Sequence, residues 1–279
     1  MVNNLIVFMI PVILIHKGYQ DYLGCAINQA LKNNQVRLIG DTTPPISHKN
    51  FKFENLNDYC LECDEFRSIY EHLNTTPVEY EIFCYQRWFV LKNYMLSNNL
   101  DKIFYIDSDV LLFADMTTEW KKFNQYEMTL LHRTAAISSF ITLKGVTDFC
   151  NFLMSTYKDK SSYNYKKIAS HYKVRKECGL AGGVCDMTLL EFFHYCSDCG
   201  GGPGKVGEMM QIINDSTYDH NINVPDQGFA FINGRKDFKL KEGIPYVYNE
   251  RLGKEIKFNS LHFQGGAKSG IRNAYDRCN

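Results

Sequence analysis

The stretch "PVILIHKGYQDYLGCAINQALKNNQVRLIGD", Pro11 to Asp41, constrains the fold more than any other. It reads as strand, turn, helix, strand. An apolar run ends at Ile15 and a turn follows at Gly18. Tyr22, Ala26, Ala30 and Leu31 then fall on one helical stripe, and "VRLIG" forms a second short strand ending before Asp41. Two strands joined through a helix pair in parallel with a right-handed crossover. A parallel sheet needs helices over its faces.

The rest of the chain continues the alternation. "EYEIFCYQRWFVLKNYMLSNN" predicts a long aromatic-rich helix ending at Ser97-Asn98-Asn99, and "DKIFYIDSDVLLF" a central strand. "EMTLLHR" and "SSFITLK" read as strands, "GVTDFCNFLMSTY" as a helix, and "TTPPISHKNF" as a loop. No long linker or repeat interrupts the 279 residues, so the expectation is one α/β domain with a Rossmann-like, mainly parallel central sheet flanked by helices. The earliest apolar run, "LIVFMIPVILI", is too short to span a bilayer. It lacks the charged n-region and cleavage site of a signal peptide. Its Pro11 suits a strand start. A buried strand and a cytoplasmic protein are therefore expected.

Lys plus Arg and Asp plus Glu both total 31, and this zero net charge argues against a nucleic-acid partner. Local charge is less even. Between Lys158 and Lys176 seven residues are basic, which fits a solvated helix face or a patch facing anionic lipid or an anionic acceptor. Contact with a membrane periphery is thus kept open. Ten cysteines include two Cys-x-x-Cys pairs, Cys60/Cys63 and Cys196/Cys199. They lie farther apart in sequence than zinc-ribbon pairs normally do; reduced thiols are expected, with a structural zinc as the alternative. "CGGGPGKVGE" is not a phosphate-binding P-loop, because Cys199 stands where its first Gly is required and Val206 where Ser or Thr is.

"IFYIDSDVLLF" places Asp107 and Asp109 in an apolar run. A buried carboxylate is costly unless paired or bound to a metal. Two residues apart on a regular strand, the pair would face one side and converge on Mn2+ or Mg2+. The alternative is a solvated strand end. Ligands of parallel sheets bind beyond the carboxyl ends of the strands, which is where this pair falls.

The run resembles the D-x-D element of GT-A glycosyltransferases. "HFQGGAK", with His262, Gly265 and Lys268 in H-x-x-G-x-x-K spacing, is similar to the C-terminal signature of glycosyltransferase family 8, the glycogenin and LPS galactosyltransferase type. Ser269-Gly270 follow the Lys where that family has Pro-Trp.

The resemblance implies a GT-A fold. It implies Asp107, Asp109 and His262 as ligands of Mn2+ (or Mg2+), and a UDP-sugar donor whose diphosphate meets Gly265 and Lys268. Ile106, Asp107 and Ser108 would contact the donor, Tyr19 and His16 the nucleobase, and Asp41 the ribose. Arg87 would reach the sugar diphosphate, or else pair with an Asp of the site. Gly182 and Gly183 would leave room for the donor sugar. Asp186, Asp226 and Gln227 are the candidates for the reacting centre, with helix capping or a turn as the other reading of each. Residues 1–113 would form the nucleotide-binding half and 114–279 the acceptor-binding, metal-completing half.

The implied reaction transfers a hexose to a hydroxyl on a glycan, glycolipid or glycoprotein, with retention. An inverting reaction would need a general base such as Asp186 or Asp226. A sugar nucleotidyltransferase or a non-catalytic sugar-nucleotide-binding protein are the rival readings.

Overall fold

In the computed structural model, residues 9–279 are described, and Leu5 to Phe8 of the first apolar run lie outside them. The chain divides into two compact units whose segments interleave. The first comprises the chain up to Glu54, Ile103–Asn124 and Met209–Asn279; the second comprises Asn55–Lys102 and Gln125–Glu208. They do not coincide with the expected halves meeting at residue 113.

The first unit opens as expected. Strand β1 (Val12–His16) starts directly after Pro11, helix α1 (Asp21–Leu31) follows, and β2 (Val36–Gly40) pairs with β1 in parallel. Strand β3 (Phe51–Asn55) lies next to β2, so the loop expected at "TTPPISHKNF" ends one residue earlier, at Asn50. On its other side β1 pairs in parallel with β4 (Lys102–Ile106), whose residues are buried from Ile103 on. Helix α1 buries Ala26, Ala30 and Leu31 of the expected stripe, together with Leu23 and Ile27, while Tyr22 is only half-buried.

Here the structure corrects one expectation. "IFYIDSDVLLF" is not one strand: β4 ends at Ile106, Asp107 to Asp109 form a turn, and β5 (Val110–Leu112) begins anew. The Val110 N–H donates to the Asp107 carbonyl across that turn, 3.2 Å. Leaving the ladder lets the two carboxylates seek different partners, which a strand buried on both faces would deny them. The same-face argument for the pair therefore does not apply.

After β5 comes the short helix α4 (Met116–Glu119). Its Glu119 is buried and accepts hydrogen bonds from Lys122, Tyr218 and Asn259.

The second unit is built around α3 (Val78–Ser97), the long helix of the aromatic-rich segment, with α2 (Cys63–Ile69) and α5 (Leu143–Lys158) against it. Phe66, Tyr85, Phe89 and Tyr157 meet at ring-centroid distances of 5.2–5.8 Å. Each such aromatic pair adds about 0.5–1.5 kcal/mol beyond burial. Strand β6 (Met128–Leu130) runs antiparallel to β7 (Ser138–Thr142) and parallel to β8 (Val206–Glu208), which is cut from the glycine-rich loop. The basic stretch is helical, as α6 (Tyr163–Glu177), and α7 (Asp186–Tyr195) follows the Gly182-Gly183 turn. Cys196 and Cys199 form a disulfide. That corrects the expectation of reduced thiols there: a Cα–Cα distance of 5.5 Å suits the bond. Cys60 and Cys63 remain free.

The chain returns to the first unit with short strands that carry no strong pattern: β9 (Ser216–Thr217), β10 (Phe231–Ile232) and β11 (Arg235–Lys236). Three longer ones follow, β12 (Phe238–Lys241), β13 (Ile244–Asn249) and β14 (Lys254–Phe258). A sheet in the order β12-β13-β14-β9 results. Its Val247, Ile256 and Phe258 share a core with Leu111, Leu261 and Phe263. Strand β15 (Ser260–His262) then pairs antiparallel with β5, setting His262 opposite Val110, and α8 (Ile271–Arg277) closes the chain. The architecture is the expected α/β one, a mixed, mainly parallel central sheet flanked by helices.

Candidate functional site

Because β1, β2 and β4 are parallel, their carboxyl ends lie on one side, and the chain leaves them through His16, Asp41 and Asp107. The β5–β15 pairing then fixes Asp109 beside His262: the Phe263 N–H donates to the Asp109 carbonyl at 3.0 Å.

Asp109 is 6% exposed. Its Oδ1 lies 3.5 Å from His262 Nε2 and its Oδ2 lies 3.2 Å from Lys268 Nζ. Burial pushes the Asp109 carboxyl up, but His262 and Lys268 outweigh it and hold the group below the ordinary carboxylate range. For His262 burial pushes the imidazole down, and Asp109 with the His220 carbonyl outweighs it, so its pKa is raised. His262 Nδ1 donates to the His220 carbonyl. That bond fixes the ring and leaves Nε2 toward Asp109, the arrangement by which a carbonyl orients a metal-ligating imidazole. Asp107 accepts a hydrogen bond from the Tyr105 hydroxyl, 2.9 Å. The structure brings Asp109 and His262 together, whereas the ligand atoms of Asp107, Asp109 and His262 do not all lie within 4.8 Å of one another. Carboxylate and imidazole are donor types that suit Mn2+, whereas Mg2+ favours oxygen alone.

Around this group, Ile106 is buried and Ser108 is half-buried in the turn. His16 is half-buried, and its Nε2 has no hydrogen-bond partner among the described residues. Burial lowers the His16 pKa, with Asp41 and Asp109 opposing. Asp41 accepts from the Gly18 N–H at 2.7 Å, which ties the β1 and β2 loops together. Tyr19 is exposed. Gly265 has φ +59°, a conformation that favours glycine, and an added Cβ there or at Gly266 would meet no atom within 4 Å.

Asp226 lies in the first unit too, but it is committed. The Lys236 ammonium, 1% exposed, donates to Asp226 Oδ2 (3.1 Å), Asp219 Oδ1 (2.8 Å) and the Asn221 carbonyl (2.7 Å). Asp219 in turn accepts from the His262 N–H at 3.0 Å. A chain of contacts thus runs from Asp226 through Lys236 and Asp219 to His262. Neither Lys236 nor Asp219 stands out in the sequence, because a buried lysine carries no local mark. Gln227 occupies the left-handed region, φ +50°, and its carbonyl accepts from Asn249.

The remaining candidates belong to the second unit. Arg87 on α3 pairs with Asp186 at 2.6 Å, and the Trp88 indole donates to the same oxygen at 3.1 Å. The alternative of an Asp partner for Arg87 is the one observed. Asp186, 3% exposed, is neither the cap of α7, a position held by Cys185, nor an unengaged base. Gly183 leaves no open room: a Cβ would lie 2.3 Å from the Leu73 carbonyl oxygen, so this glycine admits the Leu73–Asn74 backbone rather than a ligand. Gly182 has φ +85° and donates to Thr75 Oγ1 at 2.7 Å.

The chain matches no family model and no curated protein. Among solved structures it is similar to mouse xyloside xylosyltransferase 1 in its apo form. The identity is 7% and the TM-score 0.51, over 75% of this chain and 88% of that one. An active-site mutant of LgtC aligns at 16% identity and a TM-score of 0.37, over 55% of this chain and 66% of that one. A glycosyltransferase involved in the glycosylation of the major capsid of PBCV-1 aligns at 8% identity and a TM-score of 0.39, over 96% and 99%. The likeness to the first of these is one of fold, of the GT-A type. Among the described residues no helix is long and apolar enough to cross a membrane.

Proposed function

We propose that the chain is a glycosyltransferase. It moves a hexose from a UDP-sugar to a hydroxyl of a glycan, lipid or protein, with a divalent cation held by Asp107, Asp109 and His262. One observation carries this reading: a buried carboxylate, Asp109, sits between an imidazole and an ammonium at the carboxyl ends of parallel strands. The GT-A fold agrees with it.

When bound, the cation, Mn2+ by the donor set, neutralises the diphosphate and supplies Lewis-acid chemistry for its departure. His262 would help hold the cation as a neutral imidazole, with Nδ1 keeping its proton against the His220 carbonyl. Lys268, half-buried, is the point charge for the leaving diphosphate. The open backbone at Gly265 receives a phosphate oxygen. Tyr19 stacks on the base with His16 beside it, Asp41 binds the ribose, and Ile106 and Ser108 line the nucleotide. The Lys236 ammonium, 3.1 Å from Asp226 Oδ2, engages that carboxylate, which leaves Gln227 as the group of the pair for the sugar's reacting face, with retention.

Release of UDP, measured with Mn2+ across a panel of UDP-sugars, tests the reading. Turnover with one donor that disappears on chelation is expected. No turnover with any donor, together with no metal-dependent binding of UDP, contradicts it. Determining the product's anomeric configuration by NMR tests retention, and an inverted product would sink that part alone.

A further inference from the structure

Helix α6 presents its basic residues unevenly. Beside it, Lys158 and Lys160 are paired with Glu65 and Glu71, and on it Lys173 lies 3.8 Å from Glu177. A different set lies on one face. Tyr163, Lys166, Lys167, Ser170, His171 and Val174 are spaced i, i+3, i+4, i+7, i+8 and i+11, one stripe of an α-helix. The opposite face is the one that packs, through Tyr165 and Ile168.

The outward stripe lines an open groove of about 820 Å3, whose other wall is Glu191 and Phe192 of α7. Lys167 Nζ sits 4.0 Å from the centre of the Phe192 ring. Lys166, Lys167 and Arg175 outnumber the one acid, Glu191. The chain's net charge is zero, so attraction to an anion has to come from a patch of this kind. The lysines are also not alone at the surface. Tyr163 and Val174 of the same stripe are 76% and 56% exposed. A soluble polyanion would neutralise the lysines and leave those two side chains in water. A bilayer interface accepts both, lysines at the lipid phosphates and apolar side chains below them.

We propose that the α6 stripe and its groove against α7 dock the protein on an anionic bilayer surface, with Lys166 and Lys167 engaging lipid phosphates and Tyr163 and Val174 entering the interface. The proposal rests on this surface alone and is independent of the transferase reading.

Co-sedimentation of the full chain with lipid vesicles tests it. Binding to vesicles of phosphatidylcholine with phosphatidylserine at about 30% should exceed binding to phosphatidylcholine alone by roughly tenfold, and raised salt should remove the difference. Lys166→Glu with Lys167→Glu should abolish the preference for anionic vesicles. Tyr163→Ser with Val174→Ser should weaken binding to them while leaving the salt dependence. All four positions are exposed, so unchanged circular dichroism and melting are expected. Equal binding to both vesicle types, no binding to either, or an unaffected lysine variant would overturn the proposal. So would binding to inorganic polyphosphate that exceeds binding to vesicles and is indifferent to the Tyr163 and Val174 changes.

Discussion

Lys236 carries an ammonium into the interior of the first unit and holds Asp219 and Asp226 there. Removing one partner of a buried ion pair leaves the others uncompensated, at about 3–5 kcal/mol. Lys236→Met should therefore lower the unfolding free energy read from a urea titration by that much, and a loss under about 1 kcal/mol would show that the carboxylates find other partners. Glu81 on α3 offers a test with the opposite sign. It is buried and accepts from Thr76 Oγ1 at 2.8 Å. Burial, with Asp186 adding to it, raises the Glu81 pKa. The folded protein then binds this proton more tightly than the unfolded chain, so stability falls as pH rises from the ordinary carboxylate range through the raised value. Glu81→Gln keeps the acceptor for Thr76 and removes the charge. It should raise the melting temperature at pH 7 and give no gain near pH 4; a gain equal at both pH values would contradict the assignment. At this scale the sequence singles out His262, Gly265 and Lys268 only through the resemblance that their H-x-x-G-x-x-K run carries. It hides Lys236, Asp219 and the Tyr105 hydroxyl, because each matters only through a contact the fold creates.

Elements were legible where periodicity was strong. The β1–α1–β2 opening and the long α3 follow from apolar spacing and appear as read. The Asp107–Asp109 turn does not, since burial forces the carboxylates out of the ladder and no propensity announces that. The β12–β13 hairpin carries no clear turn signal: β12 alternates apolar residues with lysine but β13 does not, and the turn places Glu242 as well as Gly243 at positive φ, where a glutamate is uncommon. Gly182 and Gly183 were visible as a turn, but what fills the space beside Gly183 was not. Gly183→Ala would drive a Cβ to 2.3 Å from the Leu73 carbonyl oxygen, with Asn74 Cα at 2.7 Å. Backbone cannot swing aside as a side chain can, so the variant should lose about 1–3 kcal/mol. A melting temperature like that of the parent would mean that the Leu73–Asn74 segment yields.

For the whole molecule, the likeness to mouse xyloside xylosyltransferase 1 at 7% identity is one of fold, and many activities share a fold. Function therefore has to be argued from the charges at the carboxyl ends of β1, β2 and β4. The claim there is that Asp109, His262 and Lys268 are parts of one metal–diphosphate site. Titration calorimetry of UDP with and without Mn2+, on the parent chain and on Asp109→Asn, tests this most directly. Mn2+ should tighten UDP binding to the parent by at least about tenfold and leave the correctly folded variant's binding unchanged. Equal affinity with and without Mn2+ in the parent, or the same tightening in Asp109→Asn, would contradict the account.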